Sequence, residues 1–332
     1  MDTKAQKFVR WTKSELDLRY EISDIRLFTK TFRGITSSFH FLDFGQDELL
    51  KSPAQFLSEY EVQVALMNSC PVSRSSKRIT VQDGVIVYCM ARYDHHYVDV
   101  QTSFEDYLGK FKSKTRATLK KKAHKFLQVG QDGAYFRKFT TPTEMDTFLK
   151  LAAVVSAKTY QHRLFDRGIP SSREFRLGVM EQAERNLVRG YLLYLGSIPV
   201  AYTFVPFVSE GVILYDYNGY DPEFGKLSPG TVIQYKVIED LCLDRDAKIY
   251  DLCVGEDEHK TLFSTNSTYC ADILILRSSL KNMLFVFTHH ALASFSAKAG
   301  NILDRFQLKR RLKKLIRRGA QAGEPTPQEM IS

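Results

Sequence analysis

Apolar positions in the first hundred residues fall in short runs rich in β-branched and aromatic side chains. EISDIRLFTKTFR (21–33) and ITSSFHFLDF (35–44) read as strands. RITVQDGVIVYCMARYDHHYVDVQT (78–102) reads as a strand, a turn at Asp83-Gly84 and one or two further strands. GQDELLKSPAQFLSEYEVQVALMN (45–68) is predicted helical, with Pro53 near a helix start. From Ser103 the period changes. Phe104, Tyr107, Leu108, Phe111, Thr115, Leu119, Ala123 and Phe126 follow a helical stripe whose other faces are lysine and arginine, and Gly130 and Gly133 end it.

AYFRKFT (134–140) gives a short strand, and Thr143 or a neighbour caps a long helix over 144–165. A second helix is predicted at 171–186 after the Gly-Ile-Pro break. Residues 189–221 read as three antiparallel strands, with turns at Gly196-Ser197 and at Ser209-Glu210-Gly211. A helix from Pro229 or Thr231 to about Leu243 follows, then a buried-type strand KIYDLCV (248–254), a short helical turn DEHKTLF (257–263) and a strand YCADILIL (269–276). The tail reads as basic helix, and 320–332 is expected to be disordered. The expected class is α+β, a mixed and mostly antiparallel sheet flanked by helices. The expected organisation is an N-terminal β-rich lobe over 1–103, a second lobe over 104–300, and a basic amphipathic helix with its tail over 301–332.

A length of 332 residues suits two domains or one domain with two lobes. No apolar run reaches 18 residues, and the first twenty residues carry no apolar core of a secretory leader, so the expectation is a cytoplasmic protein. Cys70, Cys89, Cys242, Cys253 and Cys270 are scattered, without a CxxC pair, which suggests buried reduced thiols. The pairs His95-His96 and His289-His290 diverge on a strand or a helix, so no metal is expected. The net charge of +9 is concentrated at 107–126 and 305–318. Such a balance favours anionic partners, whether a phosphorylated cofactor, nucleic acid or acidic lipid. In 305–318, Leu308, Leu312, Leu315 and Ile316 form an apolar stripe beneath a cationic surface, a pattern suited to peripheral contact with an inner membrane or to an RNA backbone.

Candidate chemistry centres on KLSPGTVIQYKVIEDL (226–241), where a tyrosine-rich strand runs through a Ser-Pro-Gly turn into a helix. The first turn of a helix has unpaired amides and a positive dipole end, a ready anion site. Ser228 is placed to cap, Pro229 fits the first helical position, and Gly230 leaves room for a ligand to approach the backbone. The alternative is an ordinary cap after a surface loop. GxxxxGK[ST] and GxGxxG are both absent.

GYLLYLGSIPVAYTF, ILYDYNGYDPEFGKLSPGTVIQYKVIEDL and KIYDLCVGEDEHKTLF together resemble the BioF-like, CelD-type acyltransferase domain of the GNAT superfamily, related to the FemAB aminoacyltransferases. The resemblance covers roughly 104–277. Its motifs are Gly196 with Pro199, Val200 and Ala201; Tyr220-Asp221-Pro222 through Ser228-Pro229-Gly230; and Asp251, Gly255-Glu256, His259-Lys260 and Phe263. Asp251 to Gly255 lacks the family's early glycine, and His259 stands where tyrosine is common.

The resemblance implies a GNAT-like fold, with the first lobe a candidate second GNAT-like half. Strand 212–218 should part from its neighbour beside a pantetheine arm, and loop 225–231 should hold the diphosphate. Lys226, Leu227, Ser228, Gly230, Thr231 and Tyr217 are therefore expected at the cofactor, acetyl-CoA or a longer acyl-CoA. The implied reaction is N-acyl transfer to an amine of a sugar, cell-envelope precursor or small metabolite. The alternatives are a FemAB-like transferase using aminoacyl-tRNA, with tRNA as partner, and a non-catalytic binding module.

N-acyl transfer needs a group to take the amine proton and a donor for the developing oxyanion. Asp216 is the candidate base and Glu256 the second candidate. Strand alternation would put Asp216 on the face opposite Tyr215 and Tyr217. Asp251 lies in a buried-type strand and needs a partner, for which Lys260 is the candidate. Lys260 also suits a phosphate or carboxylate of the substrate. Tyr217, Tyr220 and Tyr269 are candidate acids or stacking surfaces.

Overall fold

The structure, a computed structural model, describes residues 10–22, 25–38, 41, 53–129, 133–159, 168–254 and 258–305. The first half contains β1 (Arg10–Ile22), β2 (Ile25–Ser38), α1 (Pro53–Glu59), β3 (Val64–Pro71), β4 (Ile79–Gln82), β5 (Val85–Asp99), α2 (Phe104–Gly109), α3 (Ser113–Leu127), β6 (Ala134–Phe139) and α4 (Pro142–Lys158). The second contains α5 (Arg173–Glu184), β7 (Val188–Leu195), β8 (Ile198–Ser209), β9 (Val212–Leu214), β10 (Tyr217–Tyr220), a 3-10 turn (Pro222–Leu227), α6 (Pro229–Leu241), β11 (Ile249–Asp251), α7 (Glu258–Phe263), β12 (Asn266–Arg277) and α8 (Leu280–Arg305).

The strands form one mixed sheet in the order β1-β2-β3-β12-β5-β11-β9-β8-β7-β6, with β4 on β5 and β10 on β8. Only β2–β3 and β9–β11 pair in parallel among the described strands. The fold is thus α+β, as the sequence predicts. Side-chain alternation gives the sheet two buried faces. Along β7, Tyr191 and Leu193 join Leu119, Phe126, Val232 and Val237 beneath α3 and α6. Leu192 and Tyr194 point the other way, with Phe148, Leu149, Ala152 and Val179 of α4 and α5. The N-terminal strands repeat the arrangement, with Leu57 of α1 over one face and Val286 of α8 over the other.

Local chemistry sets several boundaries. Asp83 and Gly84 both take left-handed φ, 49° and 74°, which suits a two-residue hairpin between β4 and β5. Thr141, not Thr143, caps α4 through a capping box with Glu144. Ser103 and Ser172 cap α2 and α5 by accepting from backbone amides of Asp106 and Phe175.

The structure departs from the sequence reading in several places. The strands read over 21–33 and 35–44 are, in the described part, the end of β1 and the single strand β2, which pair back to back from Ile22↔Ile25. The helix predicted over 45–68 is only α1 in the described part, because Val64–Pro71 is a strand pairing with β12. The stripe over 104–126 is two helices, parted between Gly109 and Ser113. Residues 266–300, assigned by sequence to the second lobe, pair and pack with the first: β12 lies between β3 and β5, and α8 rests on β1 and β5. Residues 306–332, including the rest of the basic segment 305–318, lie outside the described residues. No described helix is long and apolar enough to cross a membrane.

Candidate active site

Two parallel strands part at the centre of the sheet. β9 pairs with β11 through Val212↔Ile249, Ile213↔Tyr250 and Leu214↔Asp251. The Tyr215 N–H then donates to the Asp251 carbonyl at 2.8 Å, and the ladder ends there. β10 keeps β8 as partner and has no strand on its other side among the described residues. Between Ile213↔Phe207 and Tyr217↔Phe204 the chain of β9 and β10 advances four residues while β8 advances three. The extra residue is a β-bulge at 214–216, which re-aims side chains and frees one edge of β10.

The bulge overturns the expected alternation. Tyr215 packs edge-on to Tyr250, 5.9 Å between centroids, in the cluster under α3 and α6. Tyr217 packs T-shaped on Phe175 at 5.8 Å, in the cluster under α4 and α5. The two tyrosines thus take opposite faces. Tyr217, expected at the cofactor, is instead a packing residue behind the sheet.

Asp216 sits on the bulge itself, open to solvent and without a hydrogen-bond partner among the described residues. Crowding by protein atoms disfavours its charged form and pushes the carboxyl up to about 6. Cys253 lies opposite, at left-handed φ of 63°. Its N–H donates to Asp251 Oδ1 at 2.7 Å and its Sγ–H to the Tyr215 carbonyl at 3.2 Å, bridging the two strands where they part. Burial first, then the Asp251 charge, pushes the thiol far up, so Cys253 stays neutral. Asp251 on the Cys253 amide, Asp216 next in sequence to the Tyr215 whose carbonyl takes the thiol, and Lys260 bonded to the neighbouring Val254 carbonyl thus border Cys253.

Asp251 is buried, and its partner is His95 rather than Lys260. The His95 Nε2 lies 2.6 Å from Asp251 Oδ1 and donates to it. Strand geometry accounts for this: Tyr97 stands opposite Asp251 in the β5–β11 ladder, and His95, two residues along β5, shares its face. Lys260 donates to the Val254 carbonyl at 2.7 Å and is held near the gap by α7. The last carbonyls of α7 are in turn gripped from α2, with the Tyr107 hydroxyl donating to Phe263 O at 2.8 Å and Lys110 Nζ to the same oxygen at 2.5 Å. Glu256 lies outside the described residues.

The loop before α6 differs from its expected form. Ser228 makes no side-chain cap and sits at φ 56°, ψ 46°. Its carbonyl accepts from Thr231 N at 3.0 Å and from Val232 N at 3.1 Å, turning both amides inward. Pro229 has no N–H, so the Gly230 amide is the one in that first turn without a partner among the described residues. Gly230 serves close packing: a Cβ there would lie 3.2 Å from the Tyr220 ring, so the space expected for a ligand at this glycine holds Tyr220. Leu227 packs against the Leu119 and Phe126 cluster, Thr231 is half-buried, and Lys226 is exposed. The buried Asp221 anchors the loop through Lys158 Nζ at 2.7 Å and the Glu223 N–H at 3.1 Å. The basic helix α3 packs on α6 and the 3-10 turn, beside this loop.

Tyr269 lies beneath the Arg74 guanidinium, 4.2 Å from the ring centroid, away from this group. No cluster of histidine, cysteine and carboxylate with metal-binding geometry occurs among the described residues. The sequence singled out Asp216, Asp251 and Lys260 but assigned no role to His95. Its signal was the His95-His96 pair, one member of which must face inward on a strand.

Residues 113–261 match the acetyltransferase (GNAT) domain family. Among solved structures, FemX superimposes with a TM-score of 0.51 over 82% of this chain and 90% of its own, at 10% identity, a likeness of fold. The C-terminal domain of a putative lysylphosphatidylglycerol synthetase from Agrobacterium fabrum matches at a TM-score of 0.48 and 11% identity, covering 86% of this chain and 89% of its own. No curated protein matches the chain.

Proposed function

We propose that this chain, whose residues 113–261 match the acetyltransferase (GNAT) domain family, transfers an acyl group from acetyl-CoA or a longer acyl-CoA to an amine of a sugar, cell-envelope precursor or small metabolite. The observation that carries this reading is the parting of β9–β10 from β11 at Tyr215 and Asp251. The free edge of β10 offers backbone groups that an extended, amide-bearing arm pairs with as an added strand does. Lys226, the Gly230 amide and the dipole of α6 supply positive character for a diphosphate. Bound acyl-CoA would contribute the activated thioester.

The remaining chemistry belongs to the chain. With its carboxyl at about 6, Asp216 is mostly ionised at neutral pH yet basic enough to take the proton of an incoming ammonium group. Cys253, a buried neutral thiol, is no nucleophile, which favours direct transfer to the amine over a covalent acyl-enzyme. The pair His95–Asp251 fixes the end of β11 and, through the Cys253 amide, one wall of the gap.

A second donor, aminoacyl-tRNA, is favoured by a different observation. Among the described residues only one bare amide stands at the start of α6, under Tyr220, while a lysine-rich helix flanks the loop. Thermal unfolding with acetyl-, medium- and long-chain acyl-CoA separates the readings. A rise in Tm saturating with one of them supports the acyl-CoA reading. No rise, with salt-sensitive tRNA binding instead, replaces it with the second. No response to either leaves a non-catalytic binding module.

A further inference from the structure

Helix α8 has two apolar faces, and only one is used. Val286 is fully buried against β1 and β5, with Met283, Phe285 and Leu292 packed around it. His289 closes that face, its ring joined to the Tyr88 hydroxyl at 2.7 Å and the Arg19 carbonyl at 3.1 Å. Leu280, Leu284, Phe287 and Phe295 lie on the opposite side at 87%, 63%, 48% and 61% exposure, with exposed Ala291 between them. At about 100° per residue these five positions fall within an arc of about 80°. Nothing among the described residues covers them. Single exposed apolar residues need no explanation, but a continuous stripe of this kind does.

Charge identifies what covers it. Residues 278–323 contain ten lysines and arginines and one acid, Asp304. That segment alone carries +9, the net charge of the whole chain, so the rest of the protein balances to zero. The chain also continues for 27 residues beyond α8, opening with FQLKRRLKKLIRR. A nucleic-acid backbone would use the charge but not a stripe of leucine and phenylalanine. A second copy of the chain would use the stripe, but would bring another +9 against it. A bilayer with anionic headgroups uses both, the apolar side chains entering the acyl boundary and the cations meeting the lipid phosphates.

We propose that the outward face of α8 docks the protein on an anionic membrane surface, the positive charge of residues 278–323 favouring the anionic lipid. The proposal does not depend on the acyl donor. Flotation of the full chain with phosphatidylglycerol–phosphatidylcholine vesicles tests it, with pure phosphatidylcholine as the comparison. Binding should require the anionic lipid, weaken with added salt, and fall about tenfold or more in the double variant Leu284→Glu, Phe287→Glu. Both residues are solvent-exposed, so the variant should keep wild-type circular dichroism and wild-type Tm; an unfolded variant is replaced by Leu284→Ser, Phe287→Ser in the same assay. Three results overturn the proposal: no flotation with anionic vesicles, equal flotation of the folded variant, or flotation unchanged while the variant turns a dimer into a monomer by light scattering.

Discussion

Asp216 concentrates the chemical argument at the residue scale. Its ordinary value is 3.8 and its folded value about 6, raised by partial desolvation of a carboxyl that still reaches solvent. Between those values the folded protein holds a proton that the unfolded chain has released, so this group's effect on stability declines as pH rises through that window and is fully unfavourable above it. Asp216→Asn removes the titration. The Tm of the variant relative to wild type should therefore increase from pH 4 to pH 7, and a constant difference would contradict the shifted carboxyl. Activity carries the complementary signature. An acid limb in kcat/KM centred near 6 should be present in the wild type and absent from whatever activity Asp216→Asn retains. A limb that survives in the variant would move the base elsewhere, with Glu256 as next candidate.

At the scale of elements, close approach and open space predict opposite signs for the same substitution. Helix α4 lies so near β7 that a Cβ on Gly190 would stand 2.7 Å from the Phe148 ring. Gly190→Ala should cost about 1–3 kcal/mol through forced repacking. Gly178, inside α5, has nothing within 4 Å of its added Cβ, and Gly178→Ala should stabilise by about 0.5–1 kcal/mol. Urea denaturation of both variants checks the pair, and equal effects would reject the packing assigned to α4. The same contrast between local and distant causes explains what the sequence discloses. The β4–β5 hairpin, the strand–turn–helix into α6 and the antiparallel strands before it were legible, because Asp83-Gly84, Ser228-Pro229-Gly230 and side-chain alternation are local signals. The strand β3 was not, since VALMN suits a helix equally well and only pairing with β12, some two hundred residues later, decides it. The bulge at 214–216 was hidden for the same reason: it exists only in register with β8, and it alone sends Tyr217 away from the gap. Asp251 was recognisably in need of a partner, but His95 lies 156 residues away in sequence.

For the whole molecule, the order of strands makes cooperativity the expected behaviour. β5 pairs with β12 on one side and with β11 on the other, so the strands of the first lobe and those around the gap share one unbroken ladder. The His95–Asp251 contact sits at that junction, with both side chains almost wholly buried. Removing the imidazole leaves the buried Asp251 carboxylate with the Cys253 amide but without its histidine donor, and a loss of about 1.5–3 kcal/mol is typical for a hydrogen bond to a charged group. The chain has a single tryptophan, Trp11, on the edge strand β1, packed against Tyr60 and far across the sheet from the junction. If the sheet unfolds as one unit, Trp11 fluorescence and far-ultraviolet circular dichroism should give coincident urea transitions in the wild type. His95→Ala should then lower both midpoints together. A Trp11 transition that stays in place while the circular dichroism midpoint falls would show the first lobe to be stable on its own, and the continuous ladder to be a contact between two independent units.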